Sequence, residues 1–441
     1  MSADLEHPTG TVTTDGWLPV RGHERILTLD ALRGVAILGV LVANVLTFAS
    51  PAWSATTPAS AEGSQVLGLL VGFLIEGKFY VLFSLLFGMG LALQSGRAKT
   101  AGRPFARVYV RRLAGLFVLG IAHGVLLYSG DILALYAVLG VVGMALCRLR
   151  QRTLFVLTVA FLLTNVSAIG VHSALNPGSV MPAVPDWQLL LDEHRSAVGS
   201  APASQVEPDT RLIFLETMSD ELRIFQSGSW KERTRHRILA YTLVGWPLRM
   251  LYTSWRVLGF FALGVFLVRG GIFLEREGRR RRYLTWLWVG LVSGLLMQMG
   301  GGAVQMGSPD SVFLVMVGVF GLLAGGLIHA LAYACGVAWL CLRPSGRRWL
   351  KPVAAVGRMA LTNYLTSSAV FALMFYGGGL DLMGRVSTGQ ALLVALALYA
   401  VQMVLSSLWT RWYRFGPFEW LWRSVTYWRL QPMRVPSAVW P

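Results

Sequence analysis

Residues 312–341 read VFLVMVGVFGLLAGGLIHALAYACGVAWLC, thirty residues without a Lys, Arg, Asp or Glu. A helix needs roughly 20 apolar residues to cross about 30 Å of hydrocarbon, so this run reads as a membrane span, long enough to tilt or to extend past the bilayer. Nine further apolar runs lie around it, at 33–49, 78–95, 109–128, 131–147, 153–171, 250–268, 283–301, 353–376 and 389–410. The run SQVLGLLVGFLI (64–75) is too short to span and reads as an interfacial or re-entrant helix leading into the second crossing. Composition agrees: of 441 residues, 54% are apolar and 14% charged, against roughly 25% charged in a soluble domain. The expected fold class is an all-α integral membrane protein with about ten transmembrane helices and one longer extracytoplasmic segment.

Charge sets the expected orientation. Alternate connections and the two ends hold 28 of the 39 Lys and Arg residues, in groups such as Arg97–Arg112, Arg148–Arg152, Arg269–Arg282 and Arg343–Arg358. The short connections between them (50–63, 129–130, 302–311, 377–388) hold only Arg385. By the positive-inside rule both termini are cytoplasmic. The same distribution leaves no separate basic domain for nucleic acid, and RRRRY at 279–283 reads as a topology anchor against lipid headgroups. The start, MSADLEHPTG, lacks the basic region and apolar core of a signal peptide, so insertion is expected to rely on internal spans. Cys147, Cys335 and Cys341 cannot form a disulfide framework, and no CxxC or HxxxH pair offers a metal site.

The chain then divides into a disordered cytoplasmic N-terminus (1–25), a membrane half with spans 1–5 (26–171), the extracytoplasmic segment (172–240), a second membrane half with spans 6–10 and an amphipathic tail (241–430), and a short end (431–441). Segment 172–240 carries nine acids against seven Lys and Arg, and 209–226 repeats apolar residues at helical spacing. It reads either as a surface helix on the outer leaflet or as a lid over an outward-facing site.

Polar residues within spans are costly and point to function. Arg33 and Asn44 lie eleven residues apart on one side of span 1, about 16 Å along its axis. His123 ends span 3 and Asp131 begins span 4 after a turn at Ser129-Gly130. A tight hairpin would return the carboxylate to the imidazole, as a general base requires, or Asp131 would simply cap the next helix. Glu76 and Lys78 lie at the outer mouth of span 2, either as a local ion pair or lining a substrate pocket. Span 9 places Asn363 and Tyr364 in a polar stripe above Arg358. His329 reads as a packed interior residue. Asn44, Glu76, Lys78, His123 and Asp131 share the outer half under one topology, which suggests an extracytoplasmic site. The tail RWYRFGPFEWLWRSVTYWR reads as a headgroup-level amphipathic helix broken at Gly416-Pro417.

The segments LTLDALRGVAILGVLVANV (27–45), KFYVLFSLLFGMGLALQ (78–94), HGVLLYSGDILALYAVLG (123–140), GRMALTNYL (357–365) and GPFEWLWRSVTYW (416–428) together resemble the YeiB-like family of bacterial inner-membrane proteins. The resemblance covers nearly all of 25–430. That family's C-terminal half is a domain of unknown function, and it is usually grouped with transmembrane acyltransferases, which pass an acyl group from cytosolic acyl-CoA to an acceptor across the membrane. The bacterial O-acyltransferases of that group carry an Arg, ten residues, then a His on their first helix. Arg33 matches the Arg, and Asn44 stands at the His position. The related heparan acetyltransferase has its proposed His in the following loop, and residues 45–77 here contain none. The remaining catalytic candidates are His123 with Asp131, with Asn44 polarising the thioester carbonyl. Arg33, Arg111, Arg112 and Arg358 would hold the CoA phosphates, and Glu76, Lys78, Asn363 and Tyr364 would line the substrate site. No tightly bound cofactor or metal is expected. The partners are the bilayer, acyl-CoA and a glycan, lipid or small-molecule acceptor, with glycine-rich spans that would allow a homodimer. The alternatives are a proton-coupled transporter or a non-catalytic membrane component.

Overall fold

A computed structural model describes residues 27–50, 62–102, 104–175, 220–272, 277–307 and 311–435. Every apolar run forms helix. In chain order these are α1 (Leu27–Ala49), α2 (Glu62–Leu74), α3 (Lys78–Thr100), α4 (Phe105–Leu126), α5 (Leu133–Leu146) and α6 (Gln151–Leu175). There follow α7 (220–227) and α8 (Trp230–Arg269), then α9 (Arg280–Gly307), α10 (Val312–Cys341), α11 (Pro344–Arg358), α12 (Ala360–Phe375), α13 (Thr388–Trp412) and α14 (Pro417–Tyr427). Among the described residues no strand is formed, and eight helical stretches are long and apolar enough to cross a membrane. The chain is an all-α integral membrane protein.

Helices α5 and α12, with 14 and 16 residues, are shorter than the apolar runs that contain them. The run 353–376 breaks at Met359, so its first part belongs to the amphipathic α11 and only the remainder to α12. Apolarity cannot register that break, whose exposed N–H groups are met by a hydrogen-bond acceptor from the tail. Helix α8 starts at Trp230, well before the apolar run at 250. Ser229 opens it with a capping box: its Oγ accepts from the Glu232 N–H at 3.2 Å, and Glu232 Oε2 accepts from the Ser229 N–H at 2.7 Å. Of the helix read over 209–226, residues 220–226 fall within α7 and 209–219 lie outside the described residues. The short run at 64–75 is α2, which turns into α3 through Gly77 at φ 77°. Pro417 opens α14 where a proline's missing N–H costs nothing.

Helix α1 lies at the centre, with Leu32, Ile37, Leu41 and Val45 fully enclosed, and packs on α3, α11, α12 and α13. Its closest approach is to α11. A methyl group added at Gly357 would fall 1.8 Å from the Asp30 carbonyl oxygen, and one at Gly34 would fall 2.0 Å from that of Val353. Only glycine lets the two backbones meet there. Helix α8 packs between α3 and α6, α4 contacts α5 and α14, and α9 and α10 pair along their lengths at the periphery.

Candidate functional site

The α4–α5 hairpin is closed by its own backbone. The His123 carbonyl accepts from the N–H groups of Leu127 at 3.0 Å and Tyr128 at 2.9 Å, and the Asp131 N–H returns to the Tyr128 carbonyl at 3.1 Å. This turn brings Asp131 Oδ2 to 2.8 Å from His123 Nδ1, both side chains buried. The second carboxylate oxygen, Oδ1, accepts from the Ala134 N–H at 3.1 Å in the first turn of α5. One carboxylate therefore orients the imidazole and caps the next helix, so the two readings of Asp131 coexist. With Nδ1–H directed at Asp131, the lone pair of Nε2 is the imidazole's available base. Nε2 is buried with no hydrogen-bond partner among the described residues.

Aromatic rings enclose the pair. The Tyr364 ring lies 4.8 Å from the imidazole and the Tyr128 ring 6.2 Å. Tyr128 is itself held by Thr47 Oγ1, which donates to its hydroxyl at 3.0 Å, and by stacking on Phe48 at 5.1 Å.

A cavity of about 720 Å³ runs beside this group between α1, α3, α4, α12 and α14. Asn44, Gly77, Gly130 and Ile132 line one end; Asp30, Arg33, Arg97, Arg112, Arg358 and Arg423 line the other. Arg33 and Asn44 are again about 16 Å apart along α1, so the cavity follows the helix axes from an arginine-rich mouth to the hairpin. His123 is not in its wall; Tyr364 is. The phenol ring thus stands between the cavity and the imidazole.

The mouth is built by the tail. The Trp422 indole N–H donates to the Arg112 carbonyl at 2.7 Å, and the Arg112 guanidinium lies 3.9 Å over the Trp422 ring. Arg33 pairs with Asp30 at 2.9 Å, and Arg358 donates to Thr410 Oγ1 at 2.8 Å. Glu419 reaches from α14 to the first turn of α12: Oε1 accepts from the Leu361 N–H at 2.6 Å and the Thr362 N–H at 3.0 Å, and Oε2 accepts from Thr362 Oγ1 at 2.5 Å. These N–H groups have no partner within their own helix, and a carboxyl group there satisfies them and faces the positive end of the helix dipole.

Burial nevertheless outweighs those bonds and holds the Glu419 acid above the ordinary carboxylate range. A raised acid stabilises the fold most when protonated, and that contribution fades as pH climbs from the unfolded value, about 4.3, through the raised folded one. Glu419→Gln keeps a carbonyl acceptor for both N–H groups without the charge. Its melting temperature is expected to stay flat over the pH interval in which the parent's declines, and parallel curves in thermal scans would refute the assignment. Glu419→Ala leaves two N–H groups unmet and is expected to cost about 3 kcal/mol.

The structure brings Arg33, Asn44, Arg112, Arg358 and Tyr364 to one cavity, with His123 and Asp131 behind it. Arg111 instead faces the Trp428 ring at 5.9 Å, outside the cavity wall. Asn363 ties α12 to its neighbours, donating to the Val356 carbonyl at 3.2 Å and Ser406 Oγ at 3.0 Å. Glu76 is exposed, while Lys78 is buried with its ammonium on the Gly72 carbonyl at 2.5 Å. Arg97, Arg423 and Glu419 also line the mouth: in sequence the two arginines read as positive-inside anchors, and nothing near Glu419 announces its partners. No metal-binding cluster is found among the described residues.

The fold and cavity define a polytopic helical membrane protein with a basic mouth and a buried histidine–aspartate pair. A family model described as "Protein of unknown function (DUF418)" matches residues 267–429. The protein named "Uncharacterized protein YxaH" from Bacillus subtilis is 32% identical over 96% of this chain and 99% of its own length. "Uncharacterized protein YeiB" from Escherichia coli is 29% identical over 91% and 96%, and an "Uncharacterized 39.9 kDa protein in amylase 3'region" from Bacillus acidopullulyticus is 27% identical over 94% and 97%. The chain belongs to this YeiB-like, DUF418-containing family of membrane proteins. No solved structure matches it.

Proposed function

We propose that the protein is an acyl-CoA-dependent acyltransferase of a bacterial inner membrane, with both termini in the cytoplasm, that acylates a hydroxyl-bearing acceptor on the outer side. The observation that carries this reading is the cavity itself, which leads from a cluster of arginines to the ring covering a paired histidine. Arginines at the mouth suit the phosphates of CoA, because a guanidinium binds phosphate oxygens through paired charge-assisted hydrogen bonds. The apolar wall beyond them, including Phe79, Phe83, Phe87 and Leu133, suits a pantetheine arm.

In this reading Tyr364 turns aside and His123 Nε2 takes the proton from the acceptor hydroxyl. The acceptor oxygen forms a bond to the thioester carbon while Asn44 donates to the carbonyl oxygen as it gains charge. The C–S bond then breaks, and the CoA thiolate receives the proton from the imidazolium, which Asp131 has stabilised meanwhile. Alternating basic connections favour this orientation, which would set the arginine mouth on the side that holds acyl-CoA.

The test is transfer from labelled acetyl-CoA in proteoliposomes, with label followed into extracted lipid and added polyols. Arg112→Gln is expected to raise the KM for acetyl-CoA about tenfold, the worth of one phosphate contact, with kcat little changed. Absence of transfer to any acceptor, with substrate supplied on both faces, would refute the reading.

A further inference from the structure

Helix α8 carries two π-helical segments, Ala240–Gly245 and Arg249–Thr253, on either side of Trp246–Leu248. Pro247 lies between them; a proline inside a helix removes one hydrogen bond and crowds the preceding turn, and a widened turn relieves both. Each widened turn also redirects the side chains it carries. Here the two turns set Tyr241 and Arg249 against the hairpin that holds His123. The Tyr241 ring lies against Gly124, where an added methyl would fall 2.6 Å from it. Arg249 Nη2 donates to the Ser129 carbonyl at 2.5 Å, and its guanidinium lies 5.2 Å over the Tyr241 ring.

Three polar atoms of this group are buried with no hydrogen-bond partner among the described residues: His123 Nε2, Tyr241 Oη and Arg249 Nη1. Each such atom is expensive to leave unmatched. Their chemistry is complementary rather than redundant. Arg249 can only donate, Tyr241 has a hydroxyl to donate, and His123, with Nδ1–H given to Asp131, can accept. Asp131, the carboxylate of the hairpin, is already occupied through both oxygens. The unmatched set therefore suits a ligand with an anionic oxygen beside a hydroxyl.

Position narrows the anion. Arg249 lies twenty residues from Arg269 on the same helix, about 30 Å, the thickness of the hydrocarbon layer. Arg269 binds the Leu149 carbonyl at the opposite boundary. Arg249 thus stands at headgroup depth, where phosphates are.

We propose that Arg249 and Tyr241 form a phosphate subsite, and that the acceptor is a phosphorylated alcohol whose hydroxyl meets His123. The acceptor's role rests on the acyltransferase reading; the subsite does not, and its test reads binding alone. The full chain, purified in detergent, is titrated with sn-glycerol 3-phosphate and with glycerol, and retention of phosphatidylglycerol is followed by native mass spectrometry.

Saturable binding of glycerol 3-phosphate but not glycerol is expected, weakened about tenfold in Tyr241→Phe and about thirtyfold in Arg249→Gln. Tyr241→Phe keeps the ring packing, so its effect cannot be ascribed to misfolding. Arg33→Gln, at the far mouth of the cavity, is expected to bind as the parent does. If phosphatidylglycerol alone binds and is lost in both variants, the phosphate belongs to a lipid headgroup; if glycerol 3-phosphate also binds, a soluble acceptor suffices. Binding of neither probe, or loss that follows Arg33 rather than Tyr241 and Arg249, overturns the subsite. Binding without acyl transfer would leave the subsite standing and remove the acyltransferase reading.

Discussion

Glutamine at position 123 is expected to lower acyl transfer by at least about 100-fold, the usual range for loss of a general base. Gln can still donate toward Asp131, so the hairpin should hold, whereas the basic lone pair of Nε2 is gone. The imidazole stands behind Tyr364 and not in the cavity wall. The loss is therefore expected entirely in kcat, with the KM for acetyl-CoA unchanged. Initial rates in proteoliposomes over a range of acetyl-CoA concentrations separate the two parameters. A variant within threefold of the parent would take His123 out of the chemistry. Asp131→Asn should fall in the same direction with little loss of thermal stability: its amide oxygen can still accept from the Ala134 N–H, while its NH2 group then faces Nδ1 and moves the imidazole proton to Nε2.

Leucine at position 357 is expected to unfold the protein. The first carbon of any side chain there would fall 1.8 Å from the Asp30 carbonyl and 2.7 Å from the Gly34 backbone nitrogen. Neither is a flexible side chain that could move away, so α1 and α11 must separate along their crossing. Overpacking in a core costs about 1–3 kcal/mol when side chains can yield, and more is expected against backbone. Domains have about 5–15 kcal/mol in reserve. The separation would also open the mouth of the cavity, since Arg33 and Arg358 flank the crossing. The measurement is the yield of monodisperse protein by size-exclusion chromatography, with a melting curve of what remains. Gly357→Ala should be milder but in the same direction. A leucine variant melting within two or three degrees of the parent would show that the crossing is looser than its geometry implies.

Hydropathy is enough to place helix in all ten apolar runs, because a helix in lipid must satisfy its own backbone, but only eight helical stretches among the described residues are long and apolar enough to cross a membrane. Their ends were less legible. Trp230 begins α8 in sequence too polar to read as part of a span, and the N–H groups freed at the α11–α12 break are met by Glu419, more than fifty residues away. The contact between His123 and Asp131 could be anticipated because the turn joining them is short. Whether Asp131 would orient the imidazole or cap α5 could not, since a carboxylate has an oxygen for each. Arg111 and Arg112 are adjacent in sequence, yet about 100° apart around the helix, so one meets the cavity and the other Trp428. Which neighbour faces which is decided by α14, not by either arginine. Tyr241 and Arg249 were hidden for another reason: their direction comes from widened helical turns, which no periodicity of 3.6 residues foresees.

The clasp between Glu419 and the start of α12 means that GRMALTNYL and GPFEWLWRSVTYW, though separated along the gene, form one mechanical part. A chimera that takes its last helix from a distant family member while keeping its own residues 357–365 would join halves never shaped together. Exchanges that move both stretches as a cassette should yield stable hybrids where single-stretch grafts do not. Any tag or truncation reaching back to Pro417 would likewise disturb the far side of the cavity through α12.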